Sequence, residues 1–189
     1  MARAGLTKTN VVEAAERFID EPDATPLTLA ALAGRLGVKQ PSLYKHIGGM
    51  DDLCRSIAVR AKLELADVMA RAAVGKAGGD AITSMSLSYR KWAATHPGRY
   101  AATVRAPVTG DAQDEAATRE ITKVAYEIMS GLGLQGDDAV DAIRALRAVL
   151  HGFVTLEAQG AFALPADIHR SFDRLLAGVI ASLAGWVDS

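Results

Sequence analysis

Apolar residues three and four positions apart recur along most of this chain, and no run alternates convincingly as a strand, so the pattern predicts helices throughout. The first is expected over about residues 7 to 20, where Val11, Ala14, Ala15 and Phe18 share one face, and Glu21, Pro22, Asp23 and Pro26 interrupt it. Thr28 is then placed as the N-cap of a short helix over residues 29 to 36, ended by Gly37, which accepts the left-handed backbone of a helix terminus. A second short helix is predicted from about Gln40 to His46, with Pro41 in its first turn, where a missing amide hydrogen breaks no intrahelical bond. Gly48 and Gly49 stop it. From Asp51 to Val74, Leu53, Ile57, Ala61, Leu65 and Val68 mark a longer helix that the run GKAGG ends. Further helices are expected at about 80 to 95, 97 to 104, 112 to 131, 138 to 159 and 166 to 187. Pro97, Pro107 with Gly110, the GLGLQG stretch and the segment from Gly160 to Pro165 punctuate them.

Composition narrows this picture. Half the residues are hydrophobic but only 5% are aromatic, so alanine and leucine carry the interior, and these residues lose least on entering a helix. The 189 residues suit one large or two small domains. A net charge of -1 excludes a generally polybasic protein, so any affinity for nucleic acid has to come from a local patch. The lone Cys54 cannot form an intrachain disulfide, no apolar run approaches a membrane span, and the N-terminus lacks an apolar signal core. A cytoplasmic protein is expected.

The chemistry concentrates in GVKQPSLYKHIGGM, residues 37 to 50. A helix-turn-helix unit needs a small residue where its helices cross, a turn residue free to take positive φ, and an apolar anchor on the second helix. Ala33, Gly37 and Leu43 supply these in order. With Leu43 inward, Lys39, Gln40, Ser42, Lys45 and His46 fall on outward or flanking positions, where Gln40 can read an adenine edge and Ser42 either base type. Tyr44, Lys45 and His46 are expected nearer the phosphates. Residues 24 to 50 hold Arg35, Lys39 and Lys45 and no Asp or Glu. Three cations alone are common on any solvated helical hairpin, so the Ala, Gly, Leu spacing carries the argument.

Catalysis finds little support. His46, His96, His151 and His169 are scattered without metal-ligand spacing, Cys54 has no CxxC partner, and no glycine-rich phosphate loop follows a strand. No enzyme activity, cofactor or metal is expected.

Residues 28 to 47, TLAALAGRLGVKQPSLYKHI, resemble the signature of the tetracycline-repressor (TetR) family of transcription regulators. Gln40, Pro41 and Ser42 look like the recognition-helix start of the tetracycline repressors themselves. His96, Pro97 and Tyr100, and the run from Leu150 to Phe153 followed by Leu156, Glu157 and Gly160, extend the likeness more weakly. Two departures stand out: Met50, Asp51 and Asp52 where members commonly have a phosphate-binding lysine, and Arg147 where one subclass has tryptophan.

The resemblance implies an all-α protein, with a three-helix helix-turn-helix DNA-binding domain over residues 1-50 and an effector-binding and dimerisation domain over residues 51-189. It further implies a homodimer on a palindromic double-stranded DNA operator, released by a small-molecule effector. The candidate DNA-binding residues are Thr28, Lys39, Gln40, Ser42, Tyr44, Lys45 and His46. Candidate pocket residues are Met85, Tyr89, Trp92, Tyr126, Met129 and Phe153, any of which is otherwise plain core. Arg90 and Arg105 could balance an anionic effector, and His151 is expected to pack rather than to touch ligand. In the last helix Ile168, Phe172, Leu175, Leu176, Val179 and Leu183 form a stripe flanked by Ala177, Gly178, Ala181 and Ala184, a face that permits close helix approach, either against a second copy or inside its own subunit, between which the pattern of one helix does not distinguish. The alternatives are a constitutive DNA-binding protein without an effector and, further off, a helical enzyme.

Overall fold

The structure, a computed structural model, describes residues 6–22 and 24–187; Asp23, one of the expected helix breakers, lies outside them. Among the described residues the chain forms α-helices and one 3-10 helix, and no strand. The α-helices are α1 (Lys8–Ile19), α2 (Leu29–Leu36), α3 (Met50–Ala73), α4 (Gly78–Thr95), α5 (Pro97–Thr103), α6 (Ala112–Leu132), α7 (Gly136–Ala158) and α8 (Ile168–Val187). The 3-10 helix, Gln40–Lys45, lies between α2 and α3 and is called the recognition helix below.

Two compact units result, one from the described parts of Met1–Leu63 and Thr95–Thr118, the other from Glu64–Ala94 and the described part of Arg119–Ser189. In the first, Val11, Val12, Ala14 and Ala15 of α1 pack with Leu29, Leu32 and Ala33 of α2, Leu43 of the recognition helix, Ile47, and Leu53 and Ile57 of α3. The N-terminal unit therefore runs past residue 50. It needs the first turns of α3 to close its core, and it also takes in α5.

The close approach of α5 to α1 explains that addition. A side chain on Gly98 would place its Cβ 2.2 Å from the carbonyl oxygen of Ile19, so only glycine lets the two backbones meet there. Asp20, at the C-terminus of α1, accepts the backbone N–H of Arg99 at 2.9 Å and its Nε–H at 2.5 Å. Ion pairs fasten the same unit elsewhere. Arg60 of α3 donates to Glu16 of α1 at 2.8 and 3.2 Å, and Arg55 pairs with Asp111. Lys62, only 2% exposed, donates to Asp114 at 2.7 Å and to Thr118 at 3.0 Å. Removing one partner of such a buried pair strands the other charge, at a cost of about 3–5 kcal/mol.

In the second unit α4 packs on α8, where a Cβ on Gly79 would come 3.0 Å from Ile180 Cγ2. Arg90 of α4 is buried among Phe153 of α7, Phe172 of α8 and Glu157, with its guanidinium carbon 5.1 and 4.7 Å from the two ring centres. It donates to Glu157 through Nε at 2.8 Å, which holds the Glu157 carboxyl below its ordinary value. The cation thus already has its counter-charge. Arg90 is not left free to balance an anionic effector, and Arg105 is an exposed residue of the first unit.

Candidate nucleic-acid interface

Local chemistry builds the helix-turn-helix from its ends inward. The Thr28 hydroxyl accepts the N–H of Ala31 at 3.1 Å and so caps α2. At the other end Gly37 takes φ 66°, its N–H reaches Gly34 O at 3.1 Å, and the N–H of Val38 reaches Ala33 O at 3.0 Å. That pair of bonds satisfies the last carbonyls of α2 and reverses the chain, a conformation that needs glycine at the turn. Lys39 is extended, and the recognition helix begins.

An ordinary short helix was the expectation here, and a 3-10 helix is found. Pro41 has no N–H to give, the segment has six residues, and its first bond closes three residues back, from Ser42 N to Lys39 O at 2.9 Å. The anchor is Leu43, which is fully buried, with Ile47 beside it. Around that anchor Lys39, Gln40, Pro41, Tyr44 and Lys45 are exposed, Tyr44 by 55%, while Ser42 and His46 are half-buried. Thr28 is exposed as well, and its capping hydroxyl keeps a hydrogen to donate.

The local charge differs from expectation in one respect. Arg35 pairs with both carboxylate oxygens of Glu21 and lies over the Phe18 ring, its guanidinium carbon 5.5 Å from the centre. Among the described residues Lys39 and Lys45 have no ion-pair partner, whereas Arg35, the third expected cation of this segment, is paired. Sequence reading missed Glu21 because the Pro22 to Pro26 interruption separates it from α2; only folding brings the carboxylate back. Met50, which stands where the resemblance expects a lysine, packs against the apolar core of the unit.

Residues 82–179 match the family description "Tetracyclin repressor-like, C-terminal domain". The chain is also 39% identical over 158 residues, 83% of its length and 72% of the relative's, to the uncharacterised HTH-type transcriptional regulator Rv0681 of Mycobacterium tuberculosis. It belongs to the TetR family. A second relative, the uncharacterised HTH-type transcriptional regulator YobS of Bacillus subtilis, is 33% identical over 170 residues, 89% of this chain and 88% of the other. Among solved structures, a variant of TetR from Acinetobacter baumannii AYE in complex with minocycline superposes with a TM-score of 0.71 at 22% identity, covering 98% of this chain and all of that one. The protein is thus a TetR-family, helix-turn-helix transcriptional regulator.

The residues expected at an effector pocket of this TetR-family chain all fall in the second unit. Met85, Trp92, Met129 and Phe153 are buried, and Tyr89 and Tyr126 are half-buried. Trp92 donates its indole N–H to Glu64 at 3.1 Å, and the Tyr126 hydroxyl accepts the N–H of Gly136 at 3.0 Å. Phe153 meets Phe162 and Phe172, with ring centres 4.9 and 4.8 Å away. The cluster that folding assembles is therefore Phe153, Phe162, Phe172, Arg90 and Glu157. Of these Arg90 and Glu157 were readable as charges but not as a pair. Ser86, one turn before Arg90 on α4, is fully buried with no partner for its hydroxyl among the described residues. A hollow of about 350 Å³ lies at the start of α8, lined by Ala166, Asp167, Arg170, Ser171 and Arg174 and by none of the six candidates.

The α8 stripe also divides. Phe172, Leu176 and Leu183 are buried within the subunit, whereas Ala177, Gly178, Ala181, Ala184 and Gly185 are exposed. A Cβ added to Gly178 or Gly185 would meet nothing within 4 Å. Among the described residues no helix is long and apolar enough to cross a membrane, and no group of three or more His, Cys, Asp or Glu is placed to hold a metal ion.

Proposed function

We propose that this regulator is a ligand-responsive repressor that binds a palindromic operator as a homodimer and leaves it when a small molecule binds. The observation that carries the reading is the recognition helix: Leu43 is fully buried while Gln40, Tyr44 and the unpaired Lys39 and Lys45 face solvent. In this reading Gln40 and Ser42 meet base edges, and Thr28, Lys39, Tyr44, Lys45 and His46 hold the backbone. Two-fold symmetric half-sites about one helical turn apart require a symmetric reader, and the open small-residue face of α8 suits close packing against a second copy. Repression follows if the operator overlaps a promoter, because occupancy alone blocks polymerase.

The effector is expected to be apolar or amphipathic and to lodge among Met85, Tyr89, Trp92, Tyr126, Met129 and Phe153, away from the recognition helix in sequence. The minocycline complex of the Acinetobacter TetR variant supports such a site by analogy of fold. A ligand acts only by preferring the conformation that does not bind DNA. The dense packing of Met85 and Met129 favours a second reading, a constitutive DNA binder without effector.

Labelled DNA flanking the protein's own gene, searched for an inverted repeat, tests the first part by fluorescence anisotropy. Binding to the repeat with two subunits per site is the expected result; equal affinity for unrelated DNA removes the operator. A thermal-shift screen of small molecules tests the second part. Hits must weaken operator binding, and a broad screen without hits returns the constitutive reading.

A further inference from the structure

Lys8, in the first turn of α1, reaches across to the first turn of α3 and places its Nζ 2.9 and 3.1 Å from the two carboxylate oxygens of Asp52. Asp52 also accepts the backbone N–H of Gly48 at 2.9 Å. The bond from Gly48, and after it the bond from Lys8, holds the Asp52 carboxyl below its ordinary value, so it is fully ionised near neutral pH. Gly48 lies two residues beyond His46 and three beyond Lys45, which bounds its Cα to within about 11 Å of the Lys45 Cα along the chain. A full negative charge is therefore held, through the Gly48 N–H, at the end of the segment that carries Lys45. Asp51, exposed in the same turn, adds a second one.

Exposed ion pairs add little to stability, and Lys8 and Asp52 keep 48% and 28% of their side-chain surface. The pair is badly placed to be a structural rivet and well placed to alter the field beside the recognition helix. We propose that Lys8 masks Asp52 from the DNA backbone, so that the pair presents no net charge to the phosphates. The inference rests on the DNA-facing reading of the recognition helix given above. It makes Lys8 and Asp52 opposite in effect and mutually cancelling. Without Lys8, the bare carboxylate repels phosphate; without the carboxylate, Lys8 adds a cation to Lys39 and Lys45.

Anisotropy titrations at about 0.01 M salt, where the screening length is about 30 Å, on a flanking-gene fragment and on a duplex of unrelated sequence, test this with Lys8→Ala, Asp52→Asn, the two combined, and Lys45→Ala as reference. Asparagine retains an acceptor for the Gly48 N–H. Lys8→Ala should weaken binding to both DNAs by about 1.5- to twofold per half-site, the size of one lightly screened unit charge about 10 Å away in water. Asp52→Asn should tighten binding by a similar factor, which a weakened fold cannot do, and the double variant should return to wild type. If the double variant is as weak as Lys8→Ala, Lys8 is a phosphate contact in its own right and the mask is wrong. The mask is equally wrong if Lys45→Ala weakens binding while the other three variants do not move. If Lys45→Ala also changes nothing, the DNA-facing reading itself falls, and the mask with it.

Discussion

Replacing Gly98 with alanine sets two well-defined effects against each other. Helix propensity favours the change by up to about 1 kcal/mol, because Gly98 lies within α5 and alanine is the better helix former. Steric overlap opposes it. The new Cβ would stand 2.2 Å from Ile19 O, 2.5 Å from Ile19 C and 2.6 Å from Ile19 Cβ, two backbone atoms and a Cβ that no rotamer change can clear. Reaching van der Waals separation means lifting α5 from the end of α1 by about 1 Å. Overpacking of this kind costs about 1–3 kcal/mol. The movement also strains the bond from the Arg99 N–H to Asp20, a hydrogen bond to a charged acceptor that contributes about 1.5–3 kcal/mol. The net expectation is a loss of about 2–4 kcal/mol, or a melting temperature lower by about 5–15 °C for a chain of this size. Circular dichroism melts at fixed protein concentration measure it. Gly131→Ala is the control, since a Cβ there meets nothing within 4 Å and only the propensity gain applies. If Gly98→Ala rises in stability together with Gly131→Ala, the tight α1–α5 approach is not a feature of the protein.

Other outcomes follow from the same geometry. Gln40→Ala should cost about 1–3 kcal/mol on the operator and much less on DNA altered at the base pair it reads, whereas Lys45→Ala should weaken all DNA and lower the salt slope by about 0.9 for each phosphate it no longer neutralises, both read by anisotropy across a salt series. Ala181→Glu, on the exposed face of α8, should yield a folded monomer in sedimentation; Leu176→Asp should instead unfold the subunit, because Leu176 is 2% exposed within it, and a dimeric Ala181→Glu would exclude α8 as the seam. Glu157 has a lowered carboxyl value in the folded state, chiefly through its bond from Arg90, so the stability it contributes is complete above the unfolded value of 4.5 and is lost as pH falls through the folded value. Urea unfolding of Arg90→Gln should therefore lose less stability between pH 7 and pH 3 than wild type does; equal loss would mean that the pair does not couple folding to acid.

Helix order was legible because glycine and proline punctuate the chain so clearly. Pro97, Gly37 and the GLGLQG stretch mark ends that backbone chemistry enforces locally, and the apolar face from Leu53 to Leu65 is buried as its spacing implies. The turn of the helix-turn-helix was legible for the same reason. What the pattern concealed is the partner of each charge. Lys62 belongs to the row Ala58, Lys62, Ala66, Met69, an apolar stripe with one cation in it, which signals burial but does not point to Asp114, 52 residues away. Arg35 reads as a free cation until Glu21 folds back on it. The α8 stripe was equally ambiguous: spacing placed Leu176 and Ala177 side by side, and only packing showed one turned inward and the other outward. Periodicity reports one helix at a time, and these are facts about pairs of helices.

The recognition helix is anchored in its unit by Leu43, with Ile47 just beyond its end, while Gln40, Tyr44 and Lys45 are exposed. Surface substitutions away from special features change stability by no more than about 0.5 kcal/mol. Descendants of this gene can therefore exchange the residues that would face DNA, one at a time, while folding as well as their parent. Operator preference is free to drift, and duplicated copies can come to address different promoters without passing through an unstable intermediate.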